Sequence, residues 1–196
     1  MPRIPRVLVD EGYYHVITRG NDRRKLFRYK QDYLCFSGIT KKYLAEFKVS
    51  ILHYCLMPNH IHLLIHAKES KHLPKFMQAI LQVYASYFRK KYHSTGFVFQ
   101  NRYKSRFINK DSYLLECARY IERNPLRAKL TGSLLDYPFS SFSFYAKGIP
   151  DDLIATFNPL YLELAKTEQE RKLRYQSYII EERLYEHIVD TAFRIR

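Results

Sequence analysis

His60, His62, Tyr120 and Asn124 are the residues whose types and spacing offer chemistry most plainly. The run Asn59–His66 reads NHIHLLIH. Side chains alternate between the faces of a strand, so His60, His62, Leu64 and His66 share one face and Ile61, Leu63 and Ile65 the other. Two neutral imidazoles two residues apart on one face can chelate a divalent cation. His-x-His alone is a weak signal, and the competing reading is two polar residues on a half-exposed strand. His66, one step along, is read as a neighbour; His53 and His72 have no supporting pattern. In CARYIERNPLRA, Tyr120 and Asn124 are four apart and lie on one helical face. If that helix crosses the sheet at the His pair, Asn124 supplies an oxygen ligand and Tyr120 a phenolic nucleophile for a metal-bound phosphate. A tyrosine at helical spacing is more often core, and with 18 tyrosines composition selects none of them.

The elements that must position these groups follow from the pattern. Tyr13–Arg19 reads as a strand and GNDRR as a polar turn. Lys30–Phe47 has helical periodicity. Val49–Met57 and Ile61–His66, broken at Pro58 and Asn59, suggest an antiparallel hairpin. Leu73–Tyr92 is a second helix, and Gly96–Ile108 is extended, in part a fourth strand. Asp111 or Ser112 can cap a helix running to about Arg123, which Pro125 ends or restarts. This order predicts an α+β fold: a ferredoxin-like antiparallel sheet with helices on one face. The other face is either open, a form that can bind single-stranded nucleic acid, or covered by the late helix. The expected organisation is a catalytic domain over 1–133, a linker over 134–150 and a helical extension over 151–196.

Charge separates the same regions. Of the 196 residues, 1–133 hold 25 Lys and Arg against 9 Asp and Glu, and 134–196 hold 8 against 10. Ser86–Lys110 has seven bases and no acid, interleaved with Tyr87, Phe88, Tyr92, Phe97, Phe99 and Tyr103. Bases attract phosphate and aromatic rings stack on unpaired bases, which favours a nucleic-acid partner over a merely solvated surface. No apolar run is long enough for a membrane span, MPRIPRV lacks the apolar stretch of a signal peptide, and the three cysteines form no CxxC pair. The expected compartment is therefore the reducing cytoplasm.

These stretches together resemble the single-tyrosine HUH transposases of single-stranded DNA, nearest to their REP-associated branch. The matching segments are YYHVITRGN at 13–21, LMPNHIHLLI at 56–65, FVFQNRYKS at 97–105, SYLLECARYIERNPLRA at 112–128 and YPFSSF at 137–142. The resemblance implies that His60 and His62 bind Mg²⁺ or Mn²⁺, that Asn124 is the third ligand and that Tyr120 is the nucleophile. It implies cleavage through a 5′-phosphotyrosine beside a DNA hairpin, in a monomer or a homodimer. Expected DNA contacts are Arg19, Asn21, Arg23 and Arg24 after the first strand, and Gln100, Arg102, Lys104 and Arg106, with Tyr103 stacking on a base. The chain departs from the family at Phe139, often Trp; at Asn101, often Gly; and at Glu122 and Arg123, often His and Leu. Two other readings compete: a non-catalytic DNA-binding relative, and a hydrolase of small phosphoesters, which would expect a carboxylate-rich site.

Overall fold

The computed structural model describes residues 7–109 and 112–181. The side-chain cap expected from Asp111 or Ser112, and the tail beyond 181, lie outside this description. The chain runs β1 (Gly12–Arg19), α1 (Lys30–Glu46), β2 (Val49–Met57), β3 (His60–Ala67), α2 (His72–Tyr92), β4 (Lys104–Ile108) and α3 (Ser112–Arg127). Three shorter helices follow: α4 (Phe142–Lys147), α5 (Pro159–Glu163) and α6 (Glu168–Ile180). The strands form one antiparallel sheet in the order β2-β3-β1-β4, the expected α+β ferredoxin-like arrangement.

Alternation along the strands divides the molecule into two apolar layers. Tyr14 and Val16 of β1 and Ile61, Leu63 and Ile65 of β3 pack with Phe36 of α1 and Phe76, Ile80 and Tyr84 of α2. Ile17, Leu52, Cys55 and Leu64 instead meet Leu114, Cys117, Tyr120 and Ile121 of α3. The second face is therefore covered by α3 and not open. A bulge between Ile51 and His53 shifts the register of β2, so Ile51 and Tyr54 both reach the first layer although they are three apart.

α1 and α2 are joined through Asp32, whose buried carboxylate accepts the backbone N–H groups of Arg28 and Tyr29 at the start of α1. The same carboxylate accepts the Tyr87 and Tyr92 hydroxyls and the Lys91 ammonium from the end of α2. Those donors outweigh burial and hold Asp32 well below the usual carboxylate range.

Residues 134–150, expected as a linker, are packed structure. Phe139 O accepts from Leu56 N–H at 2.9 Å and Ser141 N–H donates to Tyr54 O at 3.1 Å, so this segment occupies the outer edge of β2. Covering an edge strand satisfies groups that would otherwise invite pairing with another chain. Tyr137 and Tyr145 hydroxyls donate to Leu56 O and Leu52 O, and Phe139 stacks on Tyr33 at 3.7 Å.

Candidate active site

β3 presents His60 and His62 beneath α3. His60 Nδ1 lies 2.6 Å from Asn59 Oδ1. An amide oxygen only accepts, so Nδ1 carries the ring proton and Nε2 is a bare lone pair. His62 Nδ1 faces His15 Nε2 at 3.1 Å across the β1–β3 pairing; donation from Nδ1 leaves His62 Nε2 bare as well. Both Nε2 atoms are buried without a hydrogen-bond partner, and the two rings lie 4.9 Å apart between centroids. Burial, then the Arg19 guanidinium, lowers His60 to about 4 against the contrary pull of the Asn124 amide. Burial and the neighbouring His60 and His15 depress His62. His15 is lowered to about 3 by burial and Arg106. The pair is thus neutral at physiological pH, the form that ligates metal.

α3 brings Tyr120 against this pair. Its ring meets the edges of His62 and His15, each at 5.5 Å, and the Arg127 guanidinium lies 5.2 Å from its centroid. Tyr120 is fully buried. Pro125 does not end α3, which continues to Arg127. Proline lacks the N–H that would meet the carbonyl four residues back, here Ile121 O. The Asn124 side-chain amide nitrogen replaces it, donating to Ile121 O at 3.2 Å and Tyr120 O at 2.7 Å. With its nitrogen so engaged, the Asn124 oxygen remains for the His60 side. Among the described residues no group of three or more His, Cys, Asp or Glu could hold a metal. The donors available here are two imidazoles and one amide oxygen, and this set fits a divalent cation that keeps open positions for phosphate.

The expected DNA contacts run from the end of the sheet at Arg19 to mid-strand at Arg106. Arg19 pairs across from His60, and Lys104 and Arg106 pair with Ile17 and His15, on the face of the site. Asn21, Arg23 and Arg24 follow in a tight loop in which Asp22 and Arg23 have positive φ. A Cβ on Gly20 would meet Arg24 O at 2.3 Å, so this loop requires glycine. Gln100 N–H donates to Arg19 O, which brings the second group alongside the first; Gln100 and Arg102 are exposed. Tyr103 is different. Its ring is buried in the first layer, where it cannot stack on a base. His66 pairs with Glu11 and stacks on Tyr13, away from the pair.

Sequence reasoning missed His15 and Arg127. His15 sits in the alternating YYHVITR, but only the pairing register shows that it faces His62. Arg127 lies seven residues, two turns, after Tyr120, a spacing that was available once Tyr120 had been singled out.

A family model described as "Transposase IS200 like" matches residues 8–124, which include all four of the central residues. The chain belongs to this family of IS200-like transposases. Among solved structures it is similar to a REP-associated tyrosine transposase bound to a REP hairpin, at 18% identity and a TM-score of 0.66, over 80% of this chain and 92% of that one. It is also similar to a putative transposase from Deinococcus radiodurans R1, at 16% identity and a TM-score of 0.43, over 66% of this chain and 92% of that one. No curated protein matches the chain.

Proposed function

We propose that this transposase is a metal-dependent enzyme of the REP-associated kind that cuts and rejoins single-stranded DNA beside hairpins. The observation that carries the reading is the convergence in one chain of Tyr120, the Asn124 amide and two bare, unpartnered imidazole nitrogens. The hairpin on the similar solved structure supports the substrate class. His60, His62 and Asn124 would hold Mg²⁺ or Mn²⁺, which when bound polarises the scissile phosphate. The Tyr120 oxygen attacks phosphorus, and its proton passes, in net terms, to the leaving 3′ oxygen. The bond from phosphorus to the 3′ oxygen breaks, and that oxygen leaves protonated. The products are a 5′-phosphotyrosine and a free 3′-hydroxyl. Attack of a 3′-hydroxyl on the adduct reseals DNA and returns the phenol, so no nucleotide cofactor is required. Arg127, over the tyrosine ring, is placed to offset negative charge at phosphorus.

The test incubates the protein with labelled hairpin-flanked single strands and Mg²⁺ or Mn²⁺, then resolves covalent adducts on a denaturing gel. Tyr120→Phe should bind DNA and form no adduct; an adduct from that variant removes Tyr120 from its role. His60→Ala should lose cleavage, and full activity in EDTA contradicts the metal assignment. One observation favours a second reading, a DNA-binding relative that does not cut: Tyr120 and His62 are both fully buried. Tight binding without adduct on any strand selects that reading.

A further inference from the structure

We infer that Phe97 is a stacking platform for an unpaired base of the DNA strand entering the site, a role that rests on the single-strand reading above. At 82% exposure it is the most exposed large apolar side chain among the described residues. A single exposed apolar ring is ordinary by itself; what distinguishes Phe97 is a backbone that is not loose. Asn21 N–H donates to Val98 O at 2.8 Å, Gln100 N–H donates to Arg19 O at 2.9 Å, and Gly20 bridges Phe99. Val98 is buried and Phe99 packs toward Tyr84, so the segment is anchored from below while Phe97 is held outward. Gly96, at φ +75°, makes the turn that precedes it.

The segment runs beside the end of the sheet where the site begins. Gly20 N–H donates to Asn59 O at 2.9 Å, so Asn59, Gly20 and Phe99 lie side by side next to His60. Strand spacing puts Phe99 about 10 Å from Asn59 across the sheet. Val98 O accepts from Asn21 N–H and Ser94 Oγ accepts from Arg24 on either side of Phe97, so its backbone runs along the loop that carries Arg23 and Arg24. The surroundings select a nucleic-acid strand over an apolar protein partner: the segment Ser86–Lys110 holds seven bases and no acid. Tyr103 cannot serve, being buried; Phe97 is the ring of this segment that is presented.

The chain contains no Trp, so Phe97→Trp creates one fluorophore at the proposed platform. It is titrated in EDTA with a mixed-sequence single strand of about 12 nucleotides, within the usual span of such sites, and with the same strand annealed to its complement. The single strand should quench emission saturably and the duplex should not. Phe97→Ala should weaken single-strand binding by about 5- to 100-fold, read by anisotropy, with duplex binding and thermal unfolding unchanged. If both variants bind the single strand like wild type and emission does not move, the platform is wrong and the single-strand reading survives. If wild type binds no single strand at all, the reading and the platform fall together.

Discussion

His15 stands behind His62, its Nε2 3.1 Å from His62 Nδ1. In the tautomer in which His62 Nδ1 donates to it, His62 Nε2 is bare and the ring would be oriented for a metal. Partners behind a metal-ligating histidine typically carry about 10- to 100-fold in affinity. His15→Phe keeps a ring against Tyr120 and should weaken Mn²⁺ binding by that factor in a calorimetric titration. Unchanged affinity would mean that His62 is oriented by packing alone. The three histidines also predict a pH dependence. Their folded values are depressed, to about 3 for His15, about 4 for His60 and lower than normal for His62, against about 6.5 in an unfolded chain. Below that value the unfolded state binds protons that the folded state refuses, so stability is complete above about pH 6.5 and falls as pH drops toward 4. Urea midpoints at about pH 7, 5.5 and 4.5 should decline in order; a flat series would place these histidines in solvent.

Among the elements, α3 carries Tyr120, the proposed nucleophile, and is held by a buried polar cluster that no motif announced. Glu122 lies two residues after Tyr120. Its carboxylate accepts the Ser141 hydroxyl at 2.5 Å before α4 and the Tyr175 hydroxyl at 2.8 Å from α6. It also lies 2.9 Å from His53 Nδ1 on β2, whose Nε2 meets the Asn158 amide at 3.0 Å at the head of α5. The cluster therefore joins the sheet, α3 and all three later helices. Removing the acid takes the short partner from three buried groups, leaving Ser141 only its 3.3 Å contact with Tyr54 O and Tyr175 and His53 Nδ1 only their 3.3 Å contact with each other, at about 1–3 kcal/mol for each donor left poorly paired. Glu122→Ala should destabilise the fold by about 3 kcal/mol or more in urea unfolding, and a loss under about 1 kcal/mol would show that water enters and satisfies the donors. From the sequence His53 had no pattern and Glu122 was only a departure from the family. Their meeting needs a β2 bulge and spans a separation of 69 positions in the chain. The same distance hid the role of residues 134–150: serine and proline suggested a linker, whereas Leu56 and Tyr54 supply the partners that make it an edge cover.

At the scale of the molecule, the excess positive charge lies in residues 1–133, and topology brings six of those bases toward the site. Arg19, Arg23, Arg24, Arg102, Lys104 and Arg106 come from two segments some 80 residues apart, brought together by the β1–β4 pairing. If all six neutralise phosphates of a single strand, log affinity should fall against log salt with a slope of about −4. Arg102→Ala should reduce that slope by about 0.7. A slope near zero would mean that these charges do not meet the backbone. Among the described residues no helix is long and apolar enough to cross a membrane.

Period and spacing determined much by themselves. The alternation of NHIHLLIH fixed which face of β3 holds the histidines, because a strand has only two faces. The four-residue spacing of Tyr120 and Asn124 fixed their shared side of α3, because a helix repeats every 3.6 residues. Element order gave the sheet, because short connections permit few topologies. Tertiary structure alone decided what stands behind and around those residues: His15 behind His62, Glu122 beneath α4 and α6, Tyr103 inside and Phe97 outside. These depend on strand register, on a bulge and on which layer a ring enters. Such long-range choices are settled by packing the whole core at once, and local pattern carries no record of them.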